Sequence, residues 1–198
     1  MRVCVLGDPG GLGSRIASEF NVAAIGLDEQ PPEECDGIVL VVGADPAPGS
    51  RPIIDTTEAE WRDAAEGAPL RVTRALQRAR RVTLAQCGNI VVVAPSVGLI
   101  GAGGLSHYVT GIEAIRAMAK SAARQWAADR ISVSIIVVPL GLIVSGAGDL
   151  VPHVGRGARQ DVDLLDAVVR AVHFILSGAG PALTGSTLLV DGGAVMVP

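Results

Sequence analysis

The sequence predicts an α/β fold in which a doubly wound, parallel six-stranded sheet carries helices on both faces. Six short runs are apolar and rich in β-branched residues, which is typical of buried parallel strands. They cover residues 2–6, 22–27, 37–42, 87–94, 131–138 and 187–190. Segments with helical spacing of apolar residues separate most of these runs, and a glycine-rich loop follows the first. Strands that alternate with helices indicate a parallel sheet.

Length and composition favour one domain over residues 1–198, long enough to bury about 70% of its unfolded surface. Apolar residues make up 49% of the chain and aromatic residues only 3%, so the core is mostly aliphatic. No uninterrupted apolar run reaches the length of about 20 residues that spans a bilayer. The chain opens on a strand-like run rather than on a basic leader. We therefore expect a cytoplasmic protein without a membrane partner.

Charge and cysteine usage exclude other classes of protein. The net charge of −4 argues against a nucleic-acid partner. The arginines of residues 78–81 end a predicted helix, where cations favour the helix dipole. The three cysteines, Cys4, Cys35 and Cys87, have no metal-binding spacing and are expected to be buried, reduced thiols. The histidines are scattered, so no metal site is expected.

The first loop is a candidate cofactor site. Glycines at positions 7, 10, 11 and 13 follow the first strand and precede a helix over residues 14–20. In this context backbone N–H groups cradle a pyrophosphate at the helix N-terminus. Asp28 follows Gly7 at the spacing of a carboxylate that accepts from the adenosine ribose. The alternatives are a tight turn kept for packing and a solvated acidic turn.

The link over residues 30–36 constrains the strand order. It is too short to hold a crossover helix between the second and third strands, so these strands cannot be neighbours in a parallel sheet. The link must instead pass across the sheet, with another strand between the two.

Four further helices follow from caps and spacing. Thr56 or Thr57 caps a helix that carries Trp61 and is expected to break near residues 67–69. An amphipathic helix covers residues 70–81, a long helix 107–128, and another helix residues 161–177. The long helix is rich in small residues, which permits close approach of another helix within the domain or across a subunit interface.

Together these segments resemble the short-chain dehydrogenase/reductase (SDR) family over essentially the whole chain. Residues 7–13 are similar to the family's TGxxxGxG loop, with Leu6 in place of the threonine. Residues 36–44 resemble its DxxVNNAG strand, and Tyr108 stands at the tyrosine of YxxxK. Residues 184–193, close to TGxxxxVDGG, are the most specific match. The resemblance implies a Rossmann-type fold, a nicotinamide dinucleotide cofactor and a catalytic tyrosine.

The resemblance also implies a set of cofactor-binding residues. These are Gly7, Gly11, Leu12, Gly13, Asp28 and Gly43. A carboxylate at position 28 would repel a ribose 2′-phosphate, so NAD is favoured over NADP.

The chain is shorter than family members commonly are. One helix and the outer strand are missing after Asp28, and the segment Leu140–Gln160, where the substrate lid lies in the family, is reduced. The six remaining strands are then ordered 2-1-4-5-6-7 in family terms. Loss of the outer strand also removes contacts to the adenine ring, so cofactor binding itself is open.

Several catalytic positions of the family pattern are altered. Ile112 replaces the lysine of YxxxK, and Pro95 occupies the usual serine spacing, with Ser96 one place off. Ala68 falls where the family has a helix asparagine. Residues 40–42 replace the asparagine amides of NNAG with apolar groups.

Loss of the lysine weakens Tyr108 as a base. An ordinary phenol has a pKa of about 10, so roughly one in a thousand is ionised at pH 7. Arg116 and Lys120 lie about 12 and 18 Å further along the helix, too far to substitute. Tyr108 then serves as a neutral proton donor with Ser96 as hydrogen-bond donor, or both are structural hydroxyls. His107 is expected at the surface.

Three functional hypotheses remain. The first is a non-catalytic subunit that forms a homo- or hetero-oligomer, through helices 68–81 and 107–128, with a catalytically complete SDR. The second is an NAD(P)-dependent carbonyl reductase or alcohol dehydrogenase with Tyr108 as proton donor. The third is redox-neutral chemistry, an isomerisation or dehydration, in a pocket freed of nicotinamide.

Overall fold

A computed structural model describes residues 1–44, 47–83, 88–147 and 157–196. Its six strands form one sheet in which all neighbours are parallel, in the order β2-β1-β3-β4-β5-β6. They are β1 (Val3–Leu6), β2 (Ala24–Ile25), β3 (Gly37–Val41), β4 (Asn89–Pro95), β5 (Ser132–Val138) and β6 (Thr187–Leu189). The predicted fold class and strand order are confirmed.

Helices cover both faces of the sheet. They are α1 (Leu12–Glu19), α2 (Glu58–Trp61), α3 (Ala68–Val82), α4 (Ser106–Trp126) and α5 (Leu164–Phe174). Helices α1 and α5 contact each other, and α3 packs against α4. The four inner strands, β1, β3, β4 and β5, are buried between these layers, because their side chains point into helices on both sides, whereas β2 and β6 at the edges are partly buried.

The link after β2 passes across the sheet as its length predicts. Strand β1 pairs with both β2 and β3. At the start of β3, the N–H groups of Asp36 and Gly37 donate to the Arg2 carbonyl at 2.9 and 3.2 Å. The second strand, however, covers two residues instead of the predicted six, because only β1 borders it and the Leu27 carbonyl is bound by Arg78 of α3 (2.6 Å).

The helix that begins at Glu58 does not break near residues 67–69, and that prediction was wrong. A π-helical turn, Arg62–Gly67, joins α2 to α3, and Gly67 keeps helical angles (φ −67°, ψ −45°). Pro69 lacks an N–H, and the wider turn before it accommodates the lost hydrogen bond. Thr57 is the cap. Its Oγ1 accepts from the Glu60 N–H, and the carboxylate of Glu60 accepts from the Thr57 N–H (2.8 Å).

One segment, Leu164–Leu183, is long and apolar enough by length and composition to cross a membrane. This qualifies the expectation from the sequence that no segment reaches that length. In the fold it comprises α5 and the turns after it, interrupted at Gly178 (φ +127°). The apolar side of α5 packs on the sheet and on α1, which accounts for the hydropathy of the segment.

Cys4 and Cys35 are buried free thiols, as predicted, and Cys87 lies outside the described residues. Burial raises the pKa of Cys4 to about 12. Within the described ranges, no group of three or more His, Cys, Asp or Glu side chains could hold a metal ion. Of the predicted lid, residues 140–147 and 157–160 are described, and Leu140–Leu142 form a short 3₁₀ turn.

Candidate functional site

The carboxyl ends of β1, β2 and β3 open onto a cleft of about 280 Å³. Its walls are Gly7, Asp8, Pro9, Leu27, Asp28, Val41, Val42, Gly43, Ala44 and Arg71. Ligands of parallel α/β sheets bind at this edge. Of the residues predicted to bind a cofactor, three line the cleft: Gly7, Asp28 and Gly43. The other three are not among these walls: Gly11, Leu12 and Gly13.

Glycines of the first loop are required by the packing of the loop itself. Gly7 has φ +91°, and a Cβ there would lie 2.0 Å from the Val41 carbonyl oxygen at the end of β3. A Cβ on Gly13 would lie 2.1 Å from the Gly7 carbonyl oxygen. Leu12 is 2% exposed and belongs to the core. The glycine pattern therefore has a structural cause that needs no ligand.

The carboxylate of Asp8 lies at the amino-terminal end of α1. A Cβ placed on Gly11, the residue before the helix, would be 2.6 and 2.8 Å from its two oxygens. Oδ2 is buried and has no hydrogen-bond partner among the described residues. Dinucleotide folds bind the cofactor pyrophosphate at this helix end. Because the position already holds an anionic side chain, the loop in this conformation does not fit a pyrophosphate.

Asp28 lies at the rim of the cleft. Its side chain is 69% exposed, and Oδ1 is 3.9 Å from Nη2 of Arg78. So long and exposed an ion pair is weak. The carboxylate of Asp28 can therefore still accept a hydrogen bond from a hydroxyl group of a ligand in the cleft.

Tyr108 lies in the first turn of α4 and is buried. Its hydroxyl donates a 2.7 Å hydrogen bond to the carbonyl oxygen of Gly43, just after β3. A Cβ on Gly43 (φ +100°) would be 2.8 Å from this hydroxyl and 2.9 Å from Cγ and Cδ of Pro95. The phenol thus approaches the Gly43 backbone on the side where Pro95, the residue at the usual serine spacing, also packs.

The surroundings of Tyr108 are mostly apolar. A cavity of about 20 Å³ beside it is lined by Leu27, Gly43, Ala64, Ala68, Arg71, Val72, Tyr108, Ile112 and Ile115. Ile112, at the lysine position, is 2% exposed. Burial alone raises the pKa of Tyr108 well above its ordinary value of about 10. The hydroxyl is therefore neutral at physiological pH.

Arg71 of α3 lines both this small cavity and the cleft. Its Nη1 lies 3.7 Å from Oδ1 of Asp63. The pKa of Tyr108 is nonetheless raised, and burial is the cause of that direction. The net effect on Tyr108 is therefore opposite to the lowering of the pKa that the family's lysine implies.

Ser96 begins a 3₁₀ turn after β4 and is 2% exposed. The Tyr108 hydroxyl donates its hydrogen bond to the carbonyl oxygen of Gly43 rather than to this serine. The structure thus positions Ser96 and Tyr108 at the same end of the sheet without joining them through that hydrogen bond.

His107 is buried, at 6% exposure, so the predicted surface position was wrong. Within the part of the chain that the structure describes, its Nδ1 has no hydrogen-bond partner. With Tyr108 it lines a polar pocket of about 150 Å³, whose other walls are residues 47–51 and Glu60, Asp63 and Ala64. Nε of Arg51 lies 2.6 Å from Oε1 of Glu60 in this pocket. The histidine is covered because the loop and the helix of residues 58–67 pack over the start of α4.

Tyr108 connects the polar pocket to the cleft. It lines the pocket and the small cavity, and the cavity shares Leu27, Gly43 and Arg71 with the cleft. A ligand group in the pocket and another in the cleft would thus lie on either side of the Tyr108–Gly43 contact.

Sequence reasoning missed Asp8, Arg71, His107 and Arg51 as parts of this region. Asp8 was detectable, because an acidic residue inside a phosphate-binding loop departs from what an anion requires. The others come from elements far apart in the chain, so no spacing indicates their proximity.

The parallel sheet, the glycine loop and the tyrosine at the start of α4 define a protein of the short-chain dehydrogenase type. A family model described as enoyl-(acyl carrier protein) reductase matches residues 23–195. The chain belongs to the short-chain dehydrogenase/reductase family.

Among curated relatives, the 3-oxoacyl-[acyl-carrier-protein] reductase FabG of Salmonella typhimurium is 29% identical over 153 residues, or 70% of this chain. The match spans 59% of that protein's length. The cis-4-hydroxycyclohexanecarboxylate dehydrogenase of Sinomonas cyclohexanicum is 29% identical over 92% of this chain and 75% of its own.

Two solved structures share the fold. A short-chain dehydrogenase from Burkholderia cenocepacia, in complex with NADP, has a TM-score of 0.72 at 18% identity, covering 98% of this chain and 97% of its own. A halohydrin dehalogenase bound to ethyl (2S)-oxiran-2-ylacetate has a TM-score of 0.73 at 19% identity, covering 100% and 98%. At these identities the likeness concerns the fold alone.

Proposed function

We propose that this chain is an SDR-type subunit that does not itself catalyse hydride transfer and that assembles with a catalytically complete member of the family. The observation that carries the proposal is the state of Tyr108. Its hydroxyl is buried, donates to the Gly43 carbonyl, and has a pKa that burial raises above its ordinary value, so it is neutral.

The chemistry of alcohol oxidation explains why this state matters. A general base must be ionised near the working pH, and efficient catalysis needs a pKa close to that pH. Burial moves the pKa of Tyr108 in the opposite direction. Fewer than about one molecule in a thousand would carry a tyrosinate at pH 7. A neutral phenol that already donates its hydrogen bond to the backbone has a structural role.

The neighbouring positions support the same conclusion. Ile112 and residues 40–42 are buried aliphatic side chains that cannot hold a ribose or a water relay by hydrogen bonds. Ala68 lines the small cavity with a methyl group. Polar groups are missing from several separate elements. This favours a chain that keeps the scaffold without the catalytic groups over an enzyme in which one residue is altered.

The proposed assembly surface is the outer side of α3 and α4. Leu70 is 51% exposed there, and Thr110 and Ala117 are also exposed. Short side chains along a long helix allow a second helix to approach closely. A homologous SDR would present similar helices, so both homo- and hetero-oligomers fit this surface.

Turnover tests the catalytic part of the proposal. The purified chain is incubated with NADH or NADPH and a panel of ketones and 3-oxoacyl thioesters, and cofactor oxidation is followed by absorbance. We expect no rate above that of a Tyr108→Phe variant. A rate that the Tyr108→Phe change abolishes would overturn the proposal.

Co-purification with a complete SDR from the native host tests the partner. We expect a defined stoichiometry by native mass spectrometry, which Ala117→Arg disrupts. Ala182→Arg, which alters an exposed alanine in the turn Gly180–Leu183 and leaves the surfaces of α3 and α4 unchanged, serves as the matched control. Homogeneous self-oligomers without a second SDR would count against a hetero-oligomer.

One observation favours a second candidate, an NAD(P)-dependent carbonyl reductase with Tyr108 as proton donor. Tyr108 borders both the polar pocket and the cavity next to the cleft, as a donor to a bound carbonyl would. In that case Asp28 would favour NAD over NADP. The turnover comparison with Tyr108→Phe separates the two candidates.

A further inference from the structure

The glycine loop carries a negative charge at the position where its fold attracts a phosphate. Asp8 has φ +50°, a left-handed conformation that turns its side chain back over the loop. A Cβ on Gly11 would meet both carboxylate oxygens within 2.8 Å, so the carboxylate lies directly against the residue that opens α1. By comparison, a Cβ on Gly10 would have no neighbour within 4 Å among the residues that the structure describes.

The amino-terminal end of α1 favours one anion at this point. The unpaired N–H groups and the dipole of a helix carry about half a positive charge at its N-terminus. An intramolecular carboxylate reaches this site at no cost of association, whereas a pyrophosphate must displace it or bind beside it. A pyrophosphate bound beside the carboxylate would place two negative charges close together, and like charges repel each other.

We propose that Asp8 is a built-in competitor for the phosphate site, so that the cleft discriminates against pyrophosphate-bearing dinucleotides and favours an uncharged nucleoside-like ligand. The proposal disagrees with the cofactor that the family implies. It stands apart from the proposed function, because a chain with an inactive Tyr108 could still bind a dinucleotide, and a chain that excludes one could still bind a partner.

The remaining walls of the cleft suit such a ligand. Asp28 offers an exposed carboxylate to ribose hydroxyls, and the partly exposed Leu27 offers apolar surface to a flat base. The cleft of about 280 Å³ lies just below the range of about 300–1,000 Å³ found for pockets that hold drug-sized ligands. A dinucleotide with two bases and a pyrophosphate needs more room than a single nucleoside.

Affinities for three probes test the proposal: adenosine, ADP and NADH, titrated calorimetrically into the whole chain and into Asp8→Asn. Asn tolerates the left-handed conformation at position 8 as Asp does, so the loop keeps its shape. A neighbouring unit charge changes an ionisation equilibrium by about one to three pKa units, a factor of roughly 10 to 1,000. We therefore expect Asp8→Asn to bind ADP and NADH at least about tenfold more tightly than the unaltered chain.

Adenosine, which has no phosphate, is expected to bind the two proteins with affinities equal within about twofold. In the unaltered chain adenosine should bind at least as tightly as ADP. Glu19→Gln removes the same charge from the other end of α1 and should leave all three affinities unchanged. Thermal melting verifies that each variant is folded.

Three results would overturn the proposal. The first is an unaltered chain that binds ADP or NADH more tightly than adenosine by about tenfold or more. The second is an Asp8→Asn variant in which the ratio of ADP to adenosine affinity does not change. The third is a failure of all three probes to bind either protein, because Asp8 would then not be what excludes the dinucleotide. None of these readouts depends on turnover or on a partner.

Discussion

Tyr108 and Asp8 both lie at the carboxyl edge of the sheet, where the cleft and the small cavity next to it open. The hydroxyl of Tyr108 donates to the Gly43 carbonyl, and the carboxylate of Asp8, whose backbone is left-handed, lies against Gly11. Their residue types are visible in the sequence, but their directions are not. The sequence therefore predicted a possible acid and a possible phosphate loop, and the structure gives the phenol a backbone partner and the loop an internal anion.

The packing role of the loop glycines leads to a test at a single residue. In Gly7→Ala the new Cβ would meet the Val41 carbonyl oxygen at 2.0 Å and would need φ +91°. We expect a loss of about 2–4 kcal/mol in the free energy of unfolding, from steric overlap and a strained backbone. Urea unfolding measures it.

Gly10→Ala is the matched control in the same loop, since a Cβ there has nothing within 4 Å. Its free energy of unfolding should change by no more than about 0.5 kcal/mol. Equal effects of the two substitutions would show that the loop does not pack against β3 as described.

At the scale of elements, the strand order was predictable and the local irregularities were not. The link over residues 30–36 is too short for a crossover, and this alone required β1 to lie between β2 and β3. The π-helical turn before Pro69 and the burial of His107 depend on contacts between α4 and residues 47–67. Such contacts join segments far apart in the chain, so periodicity and caps cannot indicate them.

Helix α3 secures the short edge strand β2. Nη2 of Arg78 donates to the Leu27 carbonyl, and its side chain is 18% exposed. Arg78→Met keeps an apolar stem and removes the donor, so we expect a loss of about 1 kcal/mol. The loss is moderate because Nε of Arg78 is itself buried and has no partner in the described ranges. Amides of residues 24–28 should exchange faster with deuterium.

Arg81→Met, at an exposed position in the last turn of α3, is the control for this change. It should leave amide exchange at residues 24–28 unaltered. Identical exchange in the two variants would mean that the hydrogen bond from Arg78 does not hold the end of β2.

For the whole molecule, the buried thiols make the free energy of unfolding fall as the pH becomes alkaline. The pKa of Cys4 is about 12 in the fold because of burial, against about 8.5 when unfolded. Since the folded pKa is raised, the stabilisation is complete below pH 8.5 and is lost as the pH rises towards 12. At pH 10 the loss from Cys4 is about 2 kcal/mol.

Urea unfolding at pH 7, 8.5 and 10 measures this dependence. The variant Cys4→Ala should show a shallower fall in stability between pH 8.5 and 10 than the unaltered chain, because it has no thiol to ionise at that position. Parallel curves for the two proteins would contradict the assignment.

The fold of the whole molecule was predictable because patterning, glycine positions and strand spacing all agreed. The chemical state of the site was only partly predictable from the sequence. Ile112, Pro95 and Ala68 showed which polar groups are absent, but the consequence for the pKa of Tyr108 depends on how deeply the phenol is buried. That depth is a property of the packed molecule.

The central claim, that Tyr108 is a neutral structural hydroxyl, can be measured directly because it is the only tyrosine in the chain. The ultraviolet absorption of tyrosinate is followed while the pH is raised, with circular dichroism to verify that the protein stays folded. Burial raises the pKa of Tyr108, so the folded protein should show no ionisation at pH 10, where the urea-unfolded chain is about half ionised. A tyrosinate signal with a midpoint below pH 10 in the folded protein would contradict the account, because it would require a cation acting on the hydroxyl.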